Sequence, residues 1–326
     1  MISIKELQEG RRVHGKFAIR TKETPREYKR KEGMYFFMTV GNKTGDIPLR
    51  YWGGADPEAL RKLYSTLEVG DVIEVTGDIE YDRFSEQLVI SVNEGIHTLR
   101  KCTPDEYNIE DFIPTTTKNL RHLEEGVMRL VNSVRDEHLS ALLDSFFGDE
   151  RFLSEFKKAP AAMVHHHNYV GGLIEHTYNV ARICEVLCAF YPELNRDLLI
   201  TAALLHDIGK LPAYVYTTSI EQSDDGRFIG HIILGDRILR EKIEKIEHFP
   251  EQLKKELCHA IAMHHAMAEE GIPSRVKTPE ACALHQADKL DAYVKNFLQA
   301  VEASRDMGTW VYDRTLGQEI YTGGGD

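Results

Sequence analysis

The chain has 326 residues, 42% of them hydrophobic, enough for two or three domains with real cores. Its five cysteines, at Cys102, Cys184, Cys188, Cys258 and Cys282, form no CxxC pair and read as buried reduced thiols of a cytoplasmic protein. That excludes a disulfide scaffold, and with no apolar run near the roughly 18 residues of a membrane span, no membrane partner is expected. A net charge of −12 speaks against a nucleic-acid partner, yet residues 1–100 hold 16 basic and 16 acidic side chains, and residues 11–31 hold nine basic against two acidic. A basic stripe on a neutral module suits a phosphate track.

Residues 11–20, 34–40, 46–52, 71–80 and 87–92 are rich in β-branched and aromatic side chains between Gly, Asn and Asp, and predict five short strands. Between the third and fourth, DPEALRKLYSTLEVG predicts a helix: Pro57 suits its first turn, Leu60, Leu63 and Leu67 recur at helical spacing, and Gly70 suits its end. This order is that of an OB-fold barrel over residues 1–100, whose open face commonly takes a single strand of nucleic acid. Tyr28, Tyr51, Trp52, Tyr81 and Phe84 are stacking candidates, although most aromatics of a small barrel are core; Arg20, Lys22, Lys29 and Arg30 are phosphate candidates, and Tyr28 and Trp52 lead the aromatic set. Residues 101–120, with two prolines and a threonine run, predict a surface linker, and from 121 to 326 the periodicity is helical, an all-α bundle. The final LGQEIYTGGGD is expected to be disordered.

Ten of the 15 histidines fall between 165 and 265, several where a helix should bury them. His176 shares an apolar stripe with Leu173, Val180 and Ile183; His206 and Asp207 end the buried run Leu198–Leu205, with Gly209 permitting a turn; His264 and His265 close another helix; Asp288 follows Leu284 by one turn. A lone buried histidine is most often a satisfied core group. Here two buried carboxylates without an adjacent Lys or Arg on the inward stripe must be explained as well, and a divalent cation satisfies the whole set. Mixed imidazole and carboxylate donors suit Mn, Co, Fe or Zn.

A histidine, an adjacent His-Asp pair and a later aspartate resemble the HD-domain phosphohydrolases. The stretches HHHNYVGGLIEHT, ALLHDIGK, GRFIGHI, the double histidine and EACALHQADKLDA resemble those of the YhaM-type 3'-5' exoribonucleases, in which an OB-fold precedes the HD domain. The resemblance implies that His176, His206, Asp207 and Asp288 hold one ion, foremost manganese, and that Asp207 bridges to a second held by His231, His264 and His265. It also implies that His166 and His167 reach substrate or lie behind the site. Lys210 is expected beside the negative charge that develops at phosphorus, or else as a solvated helix-end cation.

The expected function is 3'-5' exonucleolytic cleavage of single-stranded RNA, and of single-stranded DNA, to nucleoside monophosphates. Hydrolysis of small nucleotides or cyclic dinucleotides is a second reading, and a non-catalytic nucleic-acid-binding protein with a structural metal is a third. The sequence leaves a homo-oligomer open.

Overall fold

The computed structural model describes residues 2–29, 31–163, 167–265, 276–305 and 308–323. The chain forms two compact units, Met1–Pro114 with Tyr216–Ser219, and Thr115–Val215 with Ile220–Asp326.

The first unit is a barrel of β1 (Arg12–Lys22), β2 (Arg26–Glu27), β3 (Met34–Asn42), β4 (Gly45–Trp52), β5 (Val72–Asp82), β6 (Gln87–Asn93) and β7 (Leu99–Lys101). Strand order is β1-β3-β4-β6-β5-β7, and β1 also pairs with β5, which closes the sheet. All pairings are antiparallel except β4 with β6. Strand alternation sets what lies inside: Met34, Phe36 and Met38 of β3 and Ile47, Leu49 and Tyr51 of β4 join the core with Phe17, Ile19, Ile73 and Ile90. The helix α1 (Pro57–Thr66) stands between β4 and β5, capped by Asp56, whose carboxylate accepts from the amides of Glu58 and Ala59.

The segment expected as a surface linker is largely part of this unit. Strand β7 pairs with β5, and Cys102 and Phe112 are buried against Ala18 and Val72, so apolar residues scattered among polar ones fasten it down.

The second unit is a helical bundle: α2 (Leu120–Val131), α3 (Glu137–Phe147), α4 (Glu150–Lys158), α5 (Gly172–Phe190), α6 (Arg196–Leu205), α7 (Lys210–Ala213), α8 (Asp224–Phe228), α9 (His231–Ile243), α10 (Glu251–Ala262) and α11 (Pro279–Ser304). Helix α6 is its axis. Residues Leu198–Leu205 are buried without a break, as a helix apolar all round requires, and α2, α3, α5, α10 and α11 pack on it.

The bundle is not purely α. A hairpin of β8 (Tyr214–Tyr216) and β9 (Ile220–Gln222) follows α7, and β10 (Trp310–Asp313) pairs with β11 (Gln318–Tyr321) where disorder was expected. The reason is packing: Ile320 is buried, and Trp310 lies against Tyr321 across the hairpin. Among the described residues no helix is long and apolar enough to cross a membrane. The cysteines are all free, but Cys282 is exposed rather than buried, because it lies on the outer side of the first turn of α11.

Candidate metal centre and nucleic-acid face

Five helices deliver donors to one point, buried at His176, His206, Asp207, His264 and Asp288 and open toward the half-buried His231 and the exposed His265. His176 stands in the second turn of α5; His206 caps α6 and Asp207 follows it; His231 opens α9; His264 and His265 lie in the turn just past the end of α10; Asp288 sits mid-way along α11. In the first cluster, His176 Nε2 and His206 Nε2 are 3.3 Å apart and lie 3.5 and 3.3 Å from Asp207 Oδ2. Asp288 Oδ1 is 3.0 Å from His176 Nε2 and 3.9 Å from His206 Nε2. In the second, the other aspartate oxygen, Asp207 Oδ1, is 3.7 Å from His231 Nε2 and 3.6 Å from His264 Nε2. His265 Nδ1 lies 3.6 Å from Asp288 Oδ2 and groups with Asp207, His231 and His264.

The donor set fits divalent ions on three counts. Donors sharing an ion at metal–ligand distances of about 2.0–2.2 Å lie about 3.0–3.6 Å apart, which is the spacing of all these pairs but Asp207–His231 at 3.7 Å and Asp288–His206 at 3.9 Å. Asp207 Oδ1, His231 Nε2 and His264 Nε2 are buried without a hydrogen-bond partner among the described residues, a costly state for three atoms that face one another. The tautomers are right as well: His206 Nδ1 donates to the Ala203 carbonyl at 2.8 Å and His264 Nδ1 to that of Ile261 at 2.5 Å, which leaves each Nε2 with its lone pair toward the cluster.

The electrostatics agree. Burial lowers the pKa of His231 to about 4 and, with His264 beside it, that of His265 to about 3, so both rings are neutral donors at neutral pH. Burial would also lower His176, but the hydrogen bonds its ring donates to the Asp288 and Asp291 carboxylates outweigh it and raise it to about 9, so this ring carries an Nε2 proton at neutral pH that an ion would have to displace. Burial disfavours the charged forms of both Asp207 and Lys210, yet each holds the other ionised: Lys210 Nζ is 2.6 Å from Asp207 Oδ2, which keeps the carboxyl well below its usual range and the ammonium above its own. Lys210, only 4% exposed, is thus neither solvated nor remote from Asp207; the expectation that Asp207 lacks a basic neighbour is corrected, because position 210 falls in the short helix α7 that folds back under it.

On the barrel, alternation turns Tyr35 and Phe37 of β3 and Arg50 and Trp52 of β4 outward as cross-strand neighbours, Tyr35 opposite Trp52 and Phe37 opposite Arg50. Tyr28 joins them, its ring 5.2 Å from that of Tyr35 and stacked at 6.2 Å on Trp52. Lys31 lies 4.0 Å over the Tyr28 ring, and Arg26 and Arg50 lie 5.7 and 5.6 Å from the Phe37 ring. The result is a half-buried aromatic row rimmed by cations.

Residues 173–293 match the HD domain family, and residues 12–96 match the OB-fold nucleic acid binding domain family. Over 264 residues the chain is 26% identical to a 3'-5' exoribonuclease YhaM of Listeria welshimeri, covering 80% of this chain and 79% of that one. It is also 26% identical to that of Bacillus subtilis over 269 residues, and 25% identical to that of Bacillus pumilus over 269, in both cases 82% of this chain and 81% of the relative. The chain is a homologue of the YhaM-type exoribonucleases.

Within the HD domain, all seven candidate ligands and Lys210 converge; the sequence placed His264 and His265 inside a helix, whereas the structure places them just beyond its end. His166, with its neighbour His165, lies outside the described residues, as does Arg30. His167 does not reach toward substrate: it is fully buried, with Nε2 2.8 Å from Asp291 Oδ2. On the OB-fold, Arg20 and Lys22 leave the phosphate set. Arg20 is tied to Asp46 and to the Phe112 carbonyl, and Lys22 to the carbonyls of Tyr64 and Leu67, so both head groups hold the barrel together. Tyr51 leaves the stacking set because it faces the core, ring against Phe36. Lys29, Tyr81 and Phe84 are exposed, and Tyr28 and Trp52 remain on the face. Tyr35, Phe37 and Arg50 were missed, and the in-out alternation of MYFFMTV beside PLRYW is the signal that finds them; Arg26 belongs to the basic stretch 11–31 already read as a phosphate track.

Proposed function

We propose that the chain is a metal-dependent 3'-5' exonuclease that degrades single-stranded RNA, and single-stranded DNA with it, to nucleoside monophosphates in the cytoplasm. The observation that carries the chemistry is the opposed use of the two Asp207 oxygens, one facing His176 and His206, the other facing His231 and His264. The polarity and the RNA substrate are taken from the names of the relatives.

In this reading His176, His206, Asp207 and Asp288 would hold one manganese, and Asp207, His231, His264 and His265 would hold a second. Such ions would supply charge neutralisation at a phosphodiester and activation of water near neutral pH. Lys210 keeps the Asp207 carboxylate ionised and directed, and its ammonium adds positive charge where negative charge develops at phosphorus. Nδ1–H bonds to helix-end carbonyls fix the rings of His206 and His264 so that no reorganisation is needed as charge develops. On the OB-fold, Tyr28, Tyr35, Phe37 and Trp52 stack bases of the strand, and Arg26, Lys29, Lys31 and Arg50 neutralise its phosphates.

The test is a 5'-labelled single-stranded RNA incubated with the protein and Mn, beside mononucleotides and cyclic dinucleotides. A ladder descending from the 3' end is expected, absent for Asp207→Ala, which should bind the RNA with nearly unchanged affinity. Turnover of the small compounds alone would replace the substrate, and cleavage by Asp207→Ala at the normal rate would remove the metal assignment.

A further inference from the structure

His206 and His264 stand at helix ends, where backbone carbonyls have no partner within the helix and can fix a ring tautomer. His176 has no such resource: it lies inside α5, where the helix ladder occupies the carbonyls, so an acceptor for its Nδ1–H has to come from another helix. Asp291 supplies it. Its Oδ2 is 2.7 Å from His176 Nδ1, and it sits three residues after Asp288 on the same side of α11.

The carboxylate is itself held. Oδ2 accepts a second bond, from His167 Nε2–H at 2.8 Å, and Oδ1 accepts from Asn179 Nδ2–H at 2.9 Å. His167 adopts a left-handed backbone, φ 55°, which is strained for a non-glycine residue and persists only where the surroundings enforce it. They do so here: the His167 carbonyl accepts from the Ala161 amide at 3.1 Å, and it lies so close over Gly172 that a Cβ there would stand 2.0 Å from it. Behind the ring, Tyr169 OH is 2.9 Å from His167 Nδ1 and donates to Glu175 Oε2 at 2.9 Å, and Lys295, one turn past Asp291, donates to Glu175 Oε1 at 3.1 Å.

We propose that Asp291, clamped by His167 and Asn179, is a positioning residue that fixes the ring of His176 and raises its basicity toward the first ion. The proposal rests on the metal-dependent reading above. The three donors His167, His176 and Asp291 also lie close enough to share an ion, but His176 would then have to give up both ring protons to serve two ions, so the hydrogen-bonded arrangement is the one favoured.

Titration of the full chain with manganese alone, read by calorimetry, tests this without any substrate. A wild-type protein that takes up no ion would end the metal-dependent reading itself. If ions bind, Asp291→Ala should weaken one of them by about 10- to 100-fold and leave any other unchanged, with Asp291→Asn, which keeps an acceptor, in between. Wild-type affinity in Asp291→Ala, or a third ion lost with Asp291, overturns the proposal. Should Asp291→Ala fail to fold by circular dichroism, His167→Ala carries the test, because it removes one clamp and leaves the carboxylate: the same ion should weaken by a smaller factor, and unchanged affinity overturns the idea.

Discussion

Gly209 shows how closely the ligands depend on the backbone around them. The sequence suggests a glycine that lets the chain turn after Asp207, but its φ of −66° is ordinary for any residue. What requires glycine is space: a Cβ would stand 1.9 Å from the His231 carbonyl and 2.5 Å from the Gly235 amide, so the first turn of α9 lies directly on it. Gly209→Ala must push α9 away and carry His231 with it. Overpacking of this kind costs about 1–3 kcal/mol, so thermal melting should fall, and RNA hydrolysis should fall much further than the fraction of folded protein explains. Normal turnover in a stable Gly209→Ala protein would show that His231 is not placed by this contact. The ligands themselves were legible because each is a polar residue on an apolar helical stripe. Asp291 was not, and for Gly209 and His167 the sequence shows the position but not the contact: Asp291 lies 115 positions from His176 and 124 from His167, and no local pattern marks a clamp whose parts meet only after folding.

At the level of elements, strand periodicity was the clearest signal and also the one only half used. Alternation in β3 and β4 fixes the core face, and the same rule, read for the other face, assembles Tyr35, Phe37, Arg50 and Trp52. The short β2 and β7 and the β8–β9 and β10–β11 hairpins were invisible, since two to four residues give too little periodicity to separate strand from loop. The face makes a prediction of its own. Stacking is worth about 1–3 kcal/mol per base, so Tyr35→Ala with Trp52→Ala should weaken binding of single-stranded RNA by at least tenfold while leaving the metal affinity intact. Lys31→Ala should instead flatten the dependence of log affinity on log salt by about 0.7, the contribution of one phosphate on a single strand. Loss of affinity without any change of salt slope in Lys31→Ala would assign that lysine to the Tyr28 ring alone.

For the whole molecule, the charge distribution has a purpose that the net value of −12 conceals. Residues 1–100 are balanced, and the acidic excess belongs to the remainder, which includes the buried carboxylates of the HD domain. Asp207, Asp288 and Asp291 all lie buried or nearly so, and without added positive charge they are held ionised by Lys210 and by the histidines around them. Divalent ions held there would add that charge in the folded state and would have no comparable site in the unfolded chain, so their binding would be coupled to folding. At a manganese concentration 100 times the dissociation constant the folded state should gain about 2.7 kcal/mol. The measurement is a circular-dichroism melt at 222 nm, dominated by the helices of the second unit. Manganese should raise the midpoint, a chelator should lower it, and Asp207→Asn, which removes one of the two charges shared between the clusters, should abolish most of the difference. A midpoint indifferent to manganese, with the protein fully folded throughout, would mean that the converging histidines and aspartates satisfy one another and hold no ion.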